Sequence, residues 1–569
     1  MASEVTKYSV FDPRIIQTKP KYAVEKGAAS ISNVPVQAQT ADGSSVQFNV
    51  QVPSENVFID RAVQWKASAV AKVVLAVSGD AIPAGASLSG LIAPAAFPLH
   101  QAVTQMSATI NDATVTVNTQ DVLPQVLRLA DMRDARRQRT CPTMLDRYAK
   151  YPDSGVVKNS PLLLWDETKN SDEVPNGGFN GFYFATTDTG ATPCATGGPL
   201  GGGNLAKVSY VNGQPYANAS ISSESIEFYV VVTSVERLML PPFIFSDQYE
   251  LSTGLFGVQN FQVQMNVTPS PNRVFRCATS LSVRAEAGAA TTSTLASTVT
   301  WSSTAAQTIW TSKPTLNVTF LTPSLDVPLP PKSIVPYMEF PRYITTGLEA
   351  VPTWTPGSAA KDLTSSTITL PNIPDLLLVY VKPTLYTASQ GDFSLPITKI
   401  SLNFDNFSGL LSTMTQEQLY QMSVNNGVDM DWSEWSGNGY VSHGLGLDAG
   451  VPNGGGRVGL VGGPLVLRPG RDFALQSGQA SGLVGNFSLQ FTLSVLNYTG
   501  ASVSANIYVV PISSGFFETI KGSSRVIKGV LSEQDILGAS NAAPSPELQR
   551  PVGAGRRPGA RSAGMGAYM

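Results

Sequence analysis

An internal repeat constrains this chain more than any other feature. Leu238-Met-Leu240-Pro-Pro242 is followed by Thr253-Gly254-Leu255-Phe-Gly257 and an alternating apolar run from Phe261. The same order returns as Leu465-Val-Leu467-Arg-Pro469, Ser481-Gly482-Leu483-Val-Gly485 and an alternating run from Phe487. The offsets are 227 residues for the leucines, 228 for the Gly-Leu turns and 226 for the runs. That period far exceeds the roughly 20–50 residues of a solenoid repeat. It is the size of one β-sandwich with its loops. Two related sandwiches in tandem also suit a chain of 569 residues, because single cores stop growing near roughly 250–300 residues.

The strand signal is strict alternation. Val46-Gln-Phe48-Asn-Val50-Gln-Val52, Phe261 to Val267, Ile400 to Phe404, Phe487 to Val495 and Val503 to Val509 place apolar residues at every second position. Such a period puts one face on a core and the other in water, the habit of antiparallel sheets. Leu316, Val318 and Phe320 mark a further strand. Helical signals are few: a short helix is expected from Thr415 to Met422, and another over Gln120–Asp131 with Pro124 in its first turn. Gly (49) and Pro (40) make about one residue in six, and charged residues are only 14%, against a typical ~25%. This composition favours strands joined by polar loops.

The expected fold is all-β: two tandem antiparallel β-sandwiches with long loop insertions and few short helices. Its expected divisions are an N-terminal arm (1–29), a first sandwich (30–285) with a projecting loop at about 151–214, a linker or exposed loop (286–312), a second sandwich (313–515) and a basic flexible tail (516–569).

Functional signals are mostly exclusions. The two histidines, His100 and His443, lie far apart and read as structural; there is no phosphate-binding Gly-rich loop with a following Lys-Ser/Thr. Three cysteines, Cys141, Cys194 and Cys277, give neither a disulfide framework nor zinc spacing. Residues 1–14 lack the apolar core of a signal peptide, and no run of 18 apolar residues occurs. Six Asn-x-Ser/Thr sequons are read as unmodified. No catalytic centre, cofactor or metal is expected.

Three clusters remain. Asp429, Asp431 and Glu434 lie beside Trp432 and Trp435; the spacing is wrong for a calcium loop, and the tryptophans are expected to pack at a core or subunit contact. Arg128, Arg133, Arg136, Arg137 and Arg139 form a basic run, suited either to phosphate or to salt bridges with neighbouring subunits. The net charge of −3 is uneven: residues 521–569 carry seven cations against three acids, and Arg550, Arg556, Arg557 and Arg561 stand in a final stretch without acids. That stretch reads either as a contact to genome or an internal partner, or as a solvated terminus.

Residues Pro396-Ile-Thr-Lys-Ile400-Ser-Leu-Asn-Phe404-Asp-Asn406-Phe-Ser-Gly409, continuing through Leu419-Tyr420-Gln-Met422 to Trp432-Ser-Glu-Trp435, resemble the second jelly roll of double jelly-roll major capsid proteins. Pro374 to Pro383 is similar too, and Phe97-Pro-Leu99 with Ile110-Asn111-Asp112 resembles the first jelly roll. The pattern is nearest to the adenovirus-like, virophage-like and polinton-like lineage of DNA viruses. The resemblance implies that the two sandwiches are eight-stranded antiparallel jelly rolls, and that the chain forms a homotrimeric, pseudo-hexagonal capsomer that tiles an icosahedral shell. Its implied partners are neighbouring capsomers, penton and minor capsid proteins, and a genome or internal membrane reached by the tail. It implies a virion protein made in host cytoplasm, with assembly in cytoplasm or nucleus. The alternatives are a β-sandwich adhesin or carbohydrate-binding protein and, lower, a glycoside-processing enzyme using paired carboxylates.

Overall fold

Alternation along the chain becomes one-sided burial. Phe261, Val263 and Met265 enter one core while Gln262 and Gln264 face out. Phe487, Leu489, Phe491, Leu493 and Val495 enter a second core. The computed structural model describes residues 30–78, 92–133, 135–150, 181–185, 210–211, 214–215, 225–244, 254–277, 280–283, 291–301, 309–323, 332–441 and 456–528. The expected N-terminal arm, nearly all of the 151–214 loop, His443, Cys194 and the four tail arginines lie outside the described residues.

Each core lies between two antiparallel sheets. In the first sandwich one sheet runs Ser30–Gln37, Thr315–Thr322, Gln64–Ser78, Ser225–Arg237, Phe182–Ala185, with further short strands paired to these. The facing sheet runs Thr40–Ala41, Ser45–Gln51, Asn260–Val267, Val103–Ile110, Ala113–Val117. In the second sandwich the path is Ser333–Glu339, Ala505–Ile520, Leu376–Pro383, Leu465–Leu467. Facing it are Lys361–Thr364 and Ile368–Asn372, both on Val484–Val495, then Ile397–Phe404 and Phe407–Leu410. The described strands thus exceed the eight expected per sandwich, because insertions such as Thr291–Trp301 add strands to the sheet edges.

The central strands of the two halves correspond. The repeated runs Asn260–Val267 and Val484–Val495 are each an interior strand of a facing sheet. Each pairs with one arm of a tight hairpin, Val103–Ile110/Ala113–Val117 or Ile397–Phe404/Phe407–Leu410. The first turn residues, Asn111 (φ 55) and Asp405 (φ 52), are left-handed, a conformation that short polar side chains tolerate best. A helix follows each hairpin: Thr119–Val126 and Gln416–Asn425.

This correspondence moves three expected bounds. Thr291–Trp301, expected in a linker, pairs with Gln64–Ser78. Thr315–Thr322, expected to open the second sandwich, pairs with Ser30–Gln37 and with Gln64, Trp65 and Lys66 of the first sheet, and its Leu316, Val318 and Phe320 fill the first core. It holds the place in the first sandwich that Ala505–Ile520 holds in the second. The expected tail also begins too early: Ala505–Ile520 runs past 515 and turns back as Ser523–Lys528. Local alternation says that a segment is a strand but not which sheet takes it, so these bounds were beyond its reach.

Pro124 sits inside its helix, not in the first turn. Its missing N–H leaves the Gln120 carbonyl without its helical partner. The Arg273 guanidinium donates to that carbonyl instead.

Candidate functional site at the seam between the sandwiches

The basic run and the acidic cluster of the sequence meet each other. Arg128 is buried and donates to Glu434 Oε1 at 2.9 Å and to the Asp146 carbonyl at 2.9 Å. Arg133 and Arg136 hold Asp429 at 3.2 and 2.6 Å, and Arg147 reaches Asp431 at 3.3 Å. Burial would raise the pKa of Asp429, but its bonds to Arg136 and Arg133 outweigh that and lower it. Backbone bonds run alongside: Ala130 N–H to Gly427 O, Asp429 N–H to Arg128 O, and Val461 N–H to Arg147 O. The expected salt bridges to neighbouring subunits are, for Arg128, Arg133 and Arg136, bridges within the chain. Arg139 instead lies over the Phe97 ring at 4.6 Å.

The two tryptophans part company. Thr415 caps Gln416–Asn425 through a reciprocal bond with Gln418. That helix presents Tyr420, whose ring lies 5.3 Å from Trp432 and 5.5 Å from Trp435. Trp435 is fully buried in the second core, donates to the Pro464 carbonyl at 2.9 Å, and leaves no room for a side chain at Gly463. Trp432 stays 37% exposed.

A second charged group lies deeper, and sequence reasoning missed it. Asp392 meets Lys382 at 2.8 Å and Arg273 at 2.9 Å, and its N–H donates to Asp146. Arg276 holds Asp146 at 2.7 Å, while Asp121 takes Arg342 and, at 3.5 Å, Arg273. Arg273 also lies over the Tyr386 ring at 4.7 Å. Asp121, Asp146, Arg273 and Arg276 come from the first sandwich; Arg342, Lys382 and Asp392 come from the second. Four cations thus face three carboxylates. Burial, only partly offset by Asp392, pushes the Lys382 amine down to about 8. Burial would raise Asp392, but Arg273 and Lys382 outweigh it and hold its carboxyl well below the usual range. The available signal was a single lysine in the otherwise apolar strand Leu376–Pro383.

His100 completes a buried set at the first core. Glu236 accepts from the Leu99 and His100 amides at 2.9 and 3.1 Å and from His100 Nδ1, while His100 Nε2 accepts from the Met239 N–H at 3.3 Å. Both ring nitrogens are thus engaged, Nδ1 with the Glu236 carboxylate and Nε2 with the Met239 backbone. Among the described residues no cluster of three or more metal-ligating side chains occurs.

Two jelly rolls in tandem are the fold of double jelly-roll capsid proteins. The family model described as the first domain of the Sputnik virophage major capsid protein matches residues 3–320, and that of the V20 major capsid protein C-terminal domain matches residues 340–515. The chain belongs to the virophage major capsid protein family. Capsid protein V20 of Sputnik virophage is 24% identical over 565 residues, covering 96% of this chain and 84% of the relative. In fold, the chain is similar to the Sputnik virophage structure solved by cryo-EM (TM-score 0.63, 20% identity, 96% of this chain and 98% of that one). It is also similar to the mavirus major capsid protein crystal structure (TM-score 0.62, 15% identity, 94% and 97%). The chain is therefore a structural component of a virion capsid, built to assemble with other capsid subunits, and not an enzyme.

Proposed function

We propose that three copies form a pseudo-hexagonal capsomer, six sandwiches around a threefold axis, which tiles an icosahedral shell of a DNA virus. The observation that carries this is the tandem pair itself: two sandwiches of like topology in one chain offer near-equivalent sides, and three such chains close a six-sided ring. Heterologous contacts around a threefold axis close without a free end. Trp432, part-exposed above a buried aromatic stack, is the proposed subunit contact. Neighbouring capsomers, penton and minor capsid proteins are the further partners, and Arg550, Arg556, Arg557 and Arg561 are assigned to an interior contact with genome, membrane or a minor protein. Synthesis in host cytoplasm, and assembly there or in the nucleus, complete the reading. Size-exclusion chromatography with light scattering tests it: a stable species at three times 60.2 kDa is expected, and a clean monomer at all concentrations sinks it.

A further inference from the structure

His100 sits where the two cores meet. It lies in the short helix Pro98–Gln101, entered through Phe97, whose φ of 54 is rare for a bulky side chain. Phe97 and Met239 pack into the second core, while Leu99, Leu238 and Leu240 pack into the first. The helix leads into Val103–Ile110 of one sheet of the first sandwich. Glu236 and Met239 stand at the end of Ser225–Arg237, in the other sheet. The imidazole therefore ties both sheets and both cores at one point. Its ring is 1% exposed and meets Trp65 and Phe97 edge to face, at 5.7 and 6.2 Å.

The bonds of the ring fix its protonation as well as its position. The Met239 N–H can only donate, so Nε2 must present its lone pair. Glu236 already accepts the Leu99 and His100 amides, so its carboxylate accepts from Nδ1, which carries the hydrogen. A second proton has only Nε2 to bind, where it faces the Met239 N–H, donor against donor. A buried donor left without an acceptor is costly. The other ionisable groups nearby are turned to partners of their own. Arg139 faces Glu236 and lies over the Phe97 ring, and the Cys141 thiol donates to Thr143. Arg237 donates to Gln138 and the Phe243 carbonyl, and Arg273, from the turn packed on the helix, holds Asp392 and Asp121. We propose that His100 is an acid-sensitive latch: the junction holds while the ring is neutral, and a proton on Nε2 releases Met239 and the turn at Phe97. Once the segment opens, water reaches the imidazole, which then takes up a proton near about pH 6.5. A proton bound by the open form alone favours opening as pH falls through that value, so the latch stabilises the fold above it and fails below it. Gln101, next in the helix, donates to Asp392 at 3.4 Å, so the released turn also touches the charged seam. The latch goes beyond the capsomer reading and does not depend on it.

The test is amide hydrogen exchange on the full chain, read by mass spectrometry and corrected for the intrinsic effect of pH on exchange. Opening at Leu238–Leu240 should increase about tenfold from about pH 7.5 to about pH 5.5, the factor set by an open-state imidazole that titrates near 6.5. Opening that stays level or decreases over this range in the unaltered chain overturns the proposal. His100→Gln keeps one donor for Glu236 and one acceptor for Met239 but binds no proton, so its opening should stay level. A tenfold rise that persists in His100→Gln places the proton on another group and also overturns the proposal. His443→Gln, which replaces the other histidine of the sequence, should keep the full rise; its loss there would assign the effect to His443 instead.

Discussion

Replacing Asp392 by Asn tests the seam. Asp392 is 5% exposed and is the common counter-ion of Lys382, which is wholly buried, and of Arg273. Asn keeps the shape, but its amide cannot neutralise two cations, and the seam then carries four cations against two carboxylates. Removing one partner of a buried charge set costs about 3–5 kcal/mol, because the other charges stay buried without compensation. For a cooperative unit of sandwich size, about 2–4 °C of Tm accompany each kcal/mol, so a fall of roughly 6–20 °C is expected. Thermal and urea unfolding followed by tryptophan fluorescence measure it. The pH dependence gives a second reading. The Asp392 carboxyl is held below its unfolded value, so its stabilisation is complete above about pH 4 and is lost as pH falls towards its folded value. Asp392→Asn should lose that part of the acid sensitivity. Lys382 is shifted down to about 8 from 10.5, so between these values the unfolded chain binds more protons and stability from this group rises with pH, by about 3 kcal/mol in all. Lys382→Met should abolish that rise. A loss below about 1 kcal/mol in Asp392→Asn, with the acid limb unchanged, would refute the claim that the seam is electrostatically closed.

Gly463→Ala places a methyl 2.1 Å from Trp435 Cδ1, so overpacking of about 1–3 kcal/mol is expected in chemical denaturation; a neutral substitution would mean that the Trp435 ring is free to move. Trp435→Ala should cost about 3–5 kcal/mol, whereas Trp432→Ala should leave stability within about 1 kcal/mol and act on the oligomer measured by light scattering; the reverse order would reject the assignment. Phe491→Leu should fold with a modest loss, while Phe491→Asp should give no soluble protein, since position 491 is wholly buried and an unpaired charge there is prohibitive.

The strands of both cores were legible because burial on one face writes itself at period two. Phe487 to Val495 needed nothing else. The repeat made the tandem plan legible, since its two copies occupy matching strands. What stayed hidden depends on partners distant in sequence. Thr315–Thr322 reads as a strand on its own residues, but its mates lie at 30–37 and 64–66. Arg128 and Glu434 were each visible as a member of a charged cluster, yet nothing local joins residues 306 apart. The seam was the least legible: Arg273, Asp392 and Asp121 sit singly in unremarkable contexts, and only Lys382 breaks an apolar pattern.

Why the halves act as one body follows from a single strand. Ala505–Ile520 pairs with Leu376–Pro383 along its first half, where Ile507, Val509, Val510 and Ile512 fill the second core. Its second half pairs with Ser333–Glu339 and sends Phe517 into the first core. Gly515 marks the crossing, where a Cβ would stand 2.3 Å from the Ile527 carbonyl oxygen. The turn beyond, at Lys521 and Gly522, is bound by the first sandwich: Gly522 N–H donates to Gly257 O, and Asp112 accepts from Ser523 and Ser524. Asn111 donates to Ser524 from the neighbouring turn position. The hairpin turn that closes two strands of the first sandwich therefore also clamps the end of the second. With the charged seam at one place and this shared strand at another, rotation of one sandwich against the other would have to break both. A shell tile needs that stiffness, because an error in the angle between sandwiches within one subunit is repeated at every contact the subunit makes.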